Sequence, residues 1–327
     1  MQTILITLAL VLVFIVIVQV GKAVELVSVL KDEEEHKEDT AKSLAFWFVI
    51  SGVLVAIFIA VTVYTEWDKL LPPPASEHGV WIQDLINATL LVTGSVFVIT
   101  NALLFIFTWK YRYRKGRKAF FYPENNRLEL AWTIIPTIAL TFLIGTGIYK
   151  WFKIFSEAPT DAIRIEASAK QFSWYIRYAG EDNTLGPRDF TLVNVDNELG
   201  VNWNDERSHD DFLADEIVLP VNTPVMVHIA ALDVLHNFYL PEFRLMMDAV
   251  PGMPTKFWFK PTITTAEMRE IKNDPEFDYV LACNQLCGTG HWNMQRPVRI
   301  VSESEYKEWL SEQKSFYKEN ILAKAEE

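Results

Sequence analysis

Cysteine is scarce in this chain, which has two in 327 residues, at positions 283 and 287. The pattern Cys-x-x-Cys-His does not occur, and this excludes a covalently attached c-type haem. No cysteine lies near the N-terminus, so we expect no lipoprotein anchor. The first apolar run has no basic segment before it and no clear cleavage site at residues 21–23, which favours a retained span over a cleaved signal peptide.

Basic residues are outnumbered by acidic ones in the second half of the chain. Residues 153–327 hold 29 acidic and 17 basic side chains, a net charge of −12, which equals the net charge of the whole chain. This excess of negative charge argues against a nucleic-acid partner and favours a basic protein partner. Acidity that serves only solubility would give the same pattern.

Long apolar runs occur only in the first half of the chain. Each is close to the ~20 residues that a helix needs to cross a bilayer, and together they predict four transmembrane helices, at residues 4–20, 44–64, 85–109 and 131–152. The prolines at residues 72–74 are expected to separate the second helix from the third. We therefore divide the chain into two N-terminal helices with loops (1–80), a transmembrane helical hairpin (81–152) and a soluble domain (153–327).

The loop between the third and fourth runs sets the predicted orientation. Short loops rich in Lys and Arg stay in the cytoplasm, and this loop carries seven such residues: Lys110, Arg112, Arg114, Lys115, Arg117, Lys118 and Arg127. The soluble domain after the fourth run is then expected on the outer face of a bacterial inner membrane, in the periplasm.

The soluble domain has the pattern of an all-β fold. Alternating β-forming residues predict strands within 162–178 and at 216–219, 224–232, 256–260, 279–283 and 298–301. Short strands joined by loops suggest a Greek-key β-sandwich. Residues 180–215 are predicted to form a long surface loop, and the Ser302–Glu305 capping box to open a helix that continues to about Lys324.

Both cysteines belong to one loop with the sequence Cys-Asn-Gln-Leu-Cys-Gly-Thr-Gly-His-Trp-Asn-Met, residues 283–294. Thiolate, thioether and imidazole donors together suit copper better than zinc or hard cations. A second cysteine favours two coppers bridged by two thiolates, with His236 as a further ligand. In the alternative reading the cysteines form a disulfide and Met294 fills the core. Four histidines receive no ligand role: His36, His78 and His209, placed in loops, and His228, placed in a strand.

The loop resembles the binuclear copper (CuA) loop of cytochrome c oxidase subunit II, with its pattern Cys-x3-Cys-x3-His-x2-Met and a distant histidine in an Asp-Val-x-His segment. The resemblance implies a membrane-anchored, cupredoxin-like β-sandwich. It also implies that Cys283 and Cys287 bridge two coppers, that His236 and His291 each bind one, that Met294 is a weak ligand, and that the backbone carbonyl of Gln285 is the sixth donor.

A second stretch also matches the family, and a third position departs from it. The Leu-Glu-x-x-Trp-Thr-x-x-Pro stretch at residues 128–136 also resembles subunit II, and in it Glu129 matches a glutamate at the mouth of a proton pathway. Glu129 could equally be an interfacial acid that pairs with Arg127. The family takes up electrons through a tryptophan where this chain has Phe172, while Trp174 matches a second tryptophan; both are candidates for electron uptake or simply core residues.

Two departures leave questions open. Gln285 stands where many relatives have a glutamate that helps to bind magnesium, so magnesium binding is left open. Members of the family usually have two membrane spans, and the two additional ones predicted here have no assigned role.

The predicted function is electron uptake from cytochrome c in a proton-pumping oxidase. Electrons would pass through copper to haem in subunit I, where dioxygen is reduced to water. Expected partners are subunit I, a subunit III, a separate cytochrome c and membrane lipid. The alternatives are subunit II of a quinol oxidase, which would lack the copper ligands, and a membrane-anchored copper-binding protein.

Overall fold

The computed structural model describes residues 2–28 and 33–318, with side chains described in these ranges except at residues 2–11, 28, 33–35 and 68. Two compact units make up the chain, one of residues 1–70 with 91–136 and one of residues 71–90 with 137–327.

The first part of the chain is helical. Its helices are α1 (Gln2–Ser28), α2 (Glu33–Leu70), α3 (Glu77–Lys110) and α4 (Asn126–Ile154). Among the described residues, three helical segments are long and apolar enough to cross a membrane: His36–Trp67, Glu77–Lys110 and Asn126–Ile154. The span predicted at residues 4–20 falls within α1, but its side chains up to residue 11 lie outside the described part, so this fourth crossing stays a prediction.

The break between α2 and α3 is where the prolines predict it. Helix α2 ends at Leu70, before the three prolines, and α3 begins at Glu77. The hydroxyl of Ser76 accepts the Gly79 N–H at 2.9 Å and so satisfies one of the free donors at the start of α3. The same hydroxyl donates to the carbonyl of Phe243 at 2.7 Å, which ties the beginning of α3 to the soluble part of its own unit.

The soluble part is a β-sandwich, as the alternation predicts. Its strands are β1 (Ile163–Lys170), β2 (Ser173–Tyr178), β3 (Phe212–Ala214), β4 (Ile217–Pro220), β5 (Val225–Ala231), β6 (His236–Leu240), β7 (Leu245–Ala249), β8 (Thr255–Phe259), β9 (Tyr279–Cys283) and β10 (Gln295–Val301). One sheet has the order β3-β2-β1-β5-β8 and the other β4-β10-β9-β6-β7. The β1–β5 and β4–β10 pairs are parallel, and the others are antiparallel.

The core lies between the inward faces of the two sheets. Alternate residues of β5 are buried, from Val225 through Val227 and Ile229 to Ala231. Phe238 on β6 and Leu281 on β9 are fully buried from the other sheet. This alternation is what a strand with one covered face requires.

Several predictions of secondary structure were wrong or incomplete. Strands β3, β6 and β7 and the helix α5 (Thr265–Lys272) were not predicted. The helix α6 begins after Ser302 with the predicted capping box but covers only Glu303–Glu312, because Gln313 leaves the helix in an extended conformation. Residues 316–318 are helical again, and residues beyond 318 lie outside the described part. His36 and His78 lie in α2 and α3, not in loops.

Candidate copper centre

Five side chains with metal-binding atoms converge at one end of the sandwich, where β6 begins and β9 ends. They are His236, Cys283, Cys287, His291 and Met294. The register of β6 with β9 pairs Cys283, the last residue of β9, with Phe238, so His236, two residues before Phe238, lies at the same end of the sheet as Cys283. The loop after Cys283 then folds back, and the N–H of Cys283 donates to the carbonyl of Met294 at 3.1 Å.

The five donor atoms form a compact group around the two sulfurs. The two cysteine Sγ atoms are 3.9 Å apart and both thiols are free, whereas a disulfide needs about 2.05 Å. Nδ1 of His236 lies 3.8 Å from Sγ of Cys283. Nδ1 of His291 and Sδ of Met294 lie 3.6 and 3.9 Å from Sγ of Cys287. This arrangement contradicts the disulfide reading and leaves space for a metal among soft donors.

Four of the five donor side chains are buried, and His291 is partly exposed. His236 and Met294 are fully buried, and Cys283 and Cys287 are 8% and 6% exposed. The ligand atoms of His236, Cys283 and Cys287 all lie within 4.8 Å of one another. The carbonyl oxygen of Gln285 is 3.2 Å from Sγ of Cys283, while the Gln285 side chain is exposed. The backbone oxygen can therefore join the group without the side chain.

The neighbourhood of Cys287 favours its neutral thiol when no cation is present. Burial, together with the adjacent Cys283 thiol, raises the pKa of Cys287 to about 11. Copper binds the thiolate, so the metal must displace a proton that the protein alone would retain.

Asp233 holds the imidazole of His236 in a defined orientation. Nε2–H of His236 donates to Oδ1 of Asp233 at 2.8 Å, which leaves the Nδ1 lone pair directed to the sulfur side. The other carboxylate oxygen of Asp233 accepts the N–H of Gln171 at 2.7 Å. Partial burial acts to raise the pKa of Asp233, but the hydrogen bonds from Gln171, His236 and Val234 lower it overall. The sequence indicates this contact only through the spacing, since Asp233 lies three residues before His236.

The turn between β1 and β2 supports the copper loop from one side. The Gln171 side chain donates to the carbonyl of Cys287. The Phe172 ring lies against the backbone of Gly288 and Gly290, where an added Cβ would come within 2.9 and 2.5 Å of ring atoms. Both glycines are thus required for close contact between the loop and this ring.

The aromatic residues near the donors differ in exposure. Phe172 is 39% exposed, whereas Trp174 is 1% exposed and packs near His236 at 6.2 Å and near Phe238 at 5.7 Å between ring centroids. Trp292, which directly follows His291, is 76% exposed. Sequence reasoning did not single out Trp292, because exposure of a loop residue has no sequence signal.

Glu129 lies far along the chain from these donors, in the first turn of α4, and is exposed. No ion pair joins it to Arg127 in the part of the chain that the structure describes. Acidic side chains are stabilised in the first turn of a helix by the helix dipole.

A buried ion cluster lies on the outward face of the first sheet and was not foreseen. Arg177 donates to Glu166 at 2.6 Å and to Asp211 at 2.7 Å, and Arg188 also pairs with Glu166. Burial opposes the charge of Glu166, but the two arginines lower the pKa of that carboxyl overall. For Asp211, burial prevails over Arg177 and raises the pKa to about 6. The cluster fastens the segment before β3 to the sheet.

Comparison with known proteins gives a consistent result. The family model described as "Cytochrome C oxidase subunit II, periplasmic domain" matches residues 163–302, and the one described as "Cytochrome C oxidase subunit II, transmembrane domain" matches residues 64–146. The alternative cytochrome c oxidase subunit 2 of Bradyrhizobium diazoefficiens is 32% identical over 82% of this chain and 92% of its own length. Cytochrome c oxidase subunit 2 of Cereibacter sphaeroides is 25% identical over 73% of this chain and 78% of its own.

A solved structure is also similar in sequence. The crystal structure of the periplasmic domain of subunit II of cytochrome oxidase from Bradyrhizobium japonicum is 29% identical and covers 47% of this chain and 95% of that one, with a TM-score of 0.32.

Proposed function

Because this chain belongs to the family of cytochrome c oxidase subunit II, we propose that it receives electrons from cytochrome c in a proton-pumping oxidase. The observation that carries the proposal is the convergence of two free thiols, two imidazoles and a thioether at one end of the sandwich. Membership of the family and this donor group together imply copper, and the chain is a membrane protein with a periplasmic domain.

The finer assignment is a binuclear copper centre. Cys283 and Cys287 would bridge two coppers, with His236 on one and His291 on the other. Met294 and the carbonyl of Gln285 would complete the two coordination shells. The pairing of each imidazole with a different sulfur supports this assignment, since His236 lies by Cys283 and His291 by Cys287. With Gln285 in place of a carboxylate, no magnesium ligand is proposed at this position.

Bound copper would supply one-electron redox chemistry, taking electrons from the cytochrome and passing them to haem in subunit I, where dioxygen is reduced to water. The protein holds the donor side chains in place and shields the sulfur atoms from water. His236 and Cys283 lie on paired strands, and Asp233 holds the imidazole, so neither donor has freedom to move. Burial of the donors keeps water away from the sulfurs.

The cytochrome would contact the copper end of the domain through an aromatic side chain. Phe172 is partly exposed and touches the copper loop, which supports a role in electron uptake. Trp174 is enclosed, so any role would lie between Phe172 and His236 and not at the contact itself. Trp292 adds an exposed indole beside His291. The net charge of −12 in residues 153–327 suits a basic cytochrome.

The remaining assignments concern the membrane part. We place the chain in a bacterial inner membrane, with residues 1–80 as two additional helices, 81–152 as the hairpin beside subunit I, and 153–327 as the periplasmic domain. A subunit III is the further expected neighbour. Glu129 is exposed at the start of α4, as a residue that collects protons from water must be.

The test is electron transfer in the assembled oxidase that contains this chain. Anaerobic mixing with reduced cytochrome c should reduce haem in subunit I in the natural protein, and Cys287→Ser should abolish this step. Asn284→Ser, an exposed neighbour in the same loop, is the control and should leave the rate unchanged.

Two results would overturn the proposal. The first is cytochrome oxidation at the natural rate in Cys287→Ser. The second is direct oxidation of a quinol by the oxidase without cytochrome, which would favour the quinol oxidase alternative.

A further inference from the structure

The loop that joins α3 to α4 combines basic and aromatic side chains in a way that points to a ligand. We propose that residues 110–122, here named the basic loop, bind the headgroups of anionic phospholipids at the membrane surface from which α3 and α4 emerge. The proposal is independent of the copper centre.

Charge of one sign is concentrated in the basic loop. Six of its thirteen residues are basic and none is acidic. The six are Lys110, Arg112, Arg114, Lys115, Arg117 and Lys118. All except Arg112 are exposed. Near an anionic surface each such charge contributes about 1 kcal/mol of attraction.

Two of the arginines are fixed at the end of α3. Arg112 donates to the carbonyl of Trp109 at 2.6 Å, and Arg117 donates to the carbonyl of Lys110 at 2.7 Å. Their guanidinium groups therefore satisfy free carbonyls at the C-terminus of the helix, where cations are favoured. This leaves Arg114 and Lys118 as exposed cations that are not used in those contacts.

Exposed aromatic rings follow directly after the cations. Phe120 and Phe121 are 87% and 85% exposed, and Tyr122 is 63% exposed. Two adjacent phenylalanines that face solvent so fully are costly unless an apolar medium covers them. Residues 111–125 contain no helix or strand, so these rings are not held away from the bilayer by regular structure.

The position of the loop selects lipid over a soluble partner. Helices α3 and α4 have 34 and 29 residues, so each exceeds the ~20 residues needed to cross the hydrocarbon core, and the loop between them must lie at the membrane surface. Cations at phosphate depth followed by phenylalanine rings that reach the acyl region form the arrangement seen in interfacial segments. In one lipid, the phosphodiester can bind the cations of the basic loop and the acyl chains can cover its phenylalanine rings.

The experiment uses the complete oxidase complex in phosphatidylcholine membranes that contain a photoactivatable phosphatidylglycerol. A photoactivatable phosphatidylcholine serves as the comparison probe, and labelled peptides are located by mass spectrometry. We expect phosphatidylglycerol to label the basic loop several-fold more than phosphatidylcholine, and the excess to fall as salt is added.

Two double variants separate the contributions. Arg114→Gln with Lys118→Gln should reduce labelling by phosphatidylglycerol by roughly five-fold per lost charge, and Phe120→Ser with Phe121→Ser should reduce labelling by both lipids. The matched charge control is Arg164→Gln with Lys256→Gln, two exposed cations of the soluble domain. Phe190→Ser, 87% exposed in that domain, is the aromatic control.

Equal labelling by the two lipids, or labelling that the loop variants leave unchanged, would overturn the proposal. Loss of a neighbouring subunit from the complex in the loop variants, with no lipid label on the loop in the natural protein, would show instead that the loop is a protein interface.

Discussion

The contact between Phe172 and the copper loop can be tested by adding one carbon atom. Gly290 has an ordinary φ of −91°, so Gly290→Ala introduces no backbone strain and changes only the space that the residue fills. The new Cβ would lie 2.5 Å from Cγ and 2.6 Å from Cδ2 of Phe172. Since carbon atoms pack at about 3.5–4.0 Å, the ring or the loop must move by roughly 1 Å.

Overpacking of this kind costs about 1–3 kcal/mol. A displaced loop also moves His291, which directly follows Gly290, and should therefore weaken copper retention. Removal of the ring by Phe172→Ala deletes the clash, so the double variant Gly290→Ala/Phe172→Ala should recover most of the loss. Such recovery would mean that the two substitutions are energetically coupled, because the double variant would be more stable than the sum of the two single effects predicts.

The assay is thermal unfolding together with copper content of the purified full chain for the natural protein, both single variants and the double variant. We predict that Gly290→Ala has the lowest midpoint and the lowest copper content, with recovery in the double variant. The reasoning is refuted if Gly290→Ala matches the natural protein in both properties, or if the two substitutions act additively.

Two further predictions concern carboxylates near the site and in the sheet. Asp233→Ala should weaken copper binding by about 10–100-fold in a chelator competition, because His236 loses the partner that orients it; an effect no larger than that of Asp278→Ala, a surface control, would contradict this role. Burial raises the pKa of Asp211 to about 6, so the folded protein holds this proton more tightly than the unfolded chain does. The free energy of unfolding of the natural protein, relative to that of Asp211→Asn, should therefore fall as the pH rises from about 4 to about 6 and stay level above that range. Denaturation curves of both proteins measure this difference. A difference that stays constant over this range would show that Arg177 fully offsets the burial.

Periodicity predicted the strands that have a regular pattern. The alternation in β5 and the capping box before α6 were readable because each depends only on neighbours in the chain. Strands β6 and β7 were missed because Asn237 and Asp248 interrupt their apolar pattern. The Asn237 side chain instead donates to Asp248 across the strand pair at 2.7 Å, a contact that only the fold creates.

The donor loop could be predicted because four of its side chains lie within twelve residues. Its supports could not, since Gln171 and Phe172 come from the distant β1–β2 turn. The ion cluster of Arg177, elsewhere in the sheet, could not be predicted either, because it joins three separate parts of the chain. The end of α6 at Glu312 also has no simple signal, because the residues after it remain compatible with a helix. The chain leaves the helix at Gln313 and is helical again at Phe316, whose ring stacks on Trp203 at 5.0 Å between centroids.

The central claim is that the five side chains hold two coppers bridged by the cysteine sulfurs. The most direct measurement is the copper content and electron paramagnetic resonance spectrum of the purified full chain after reduction and copper loading. The account predicts two coppers per chain and a seven-line hyperfine pattern from one electron shared between two nuclei. A single copper with a four-line pattern, or a Cys283–Cys287 disulfide that excludes copper, would contradict it.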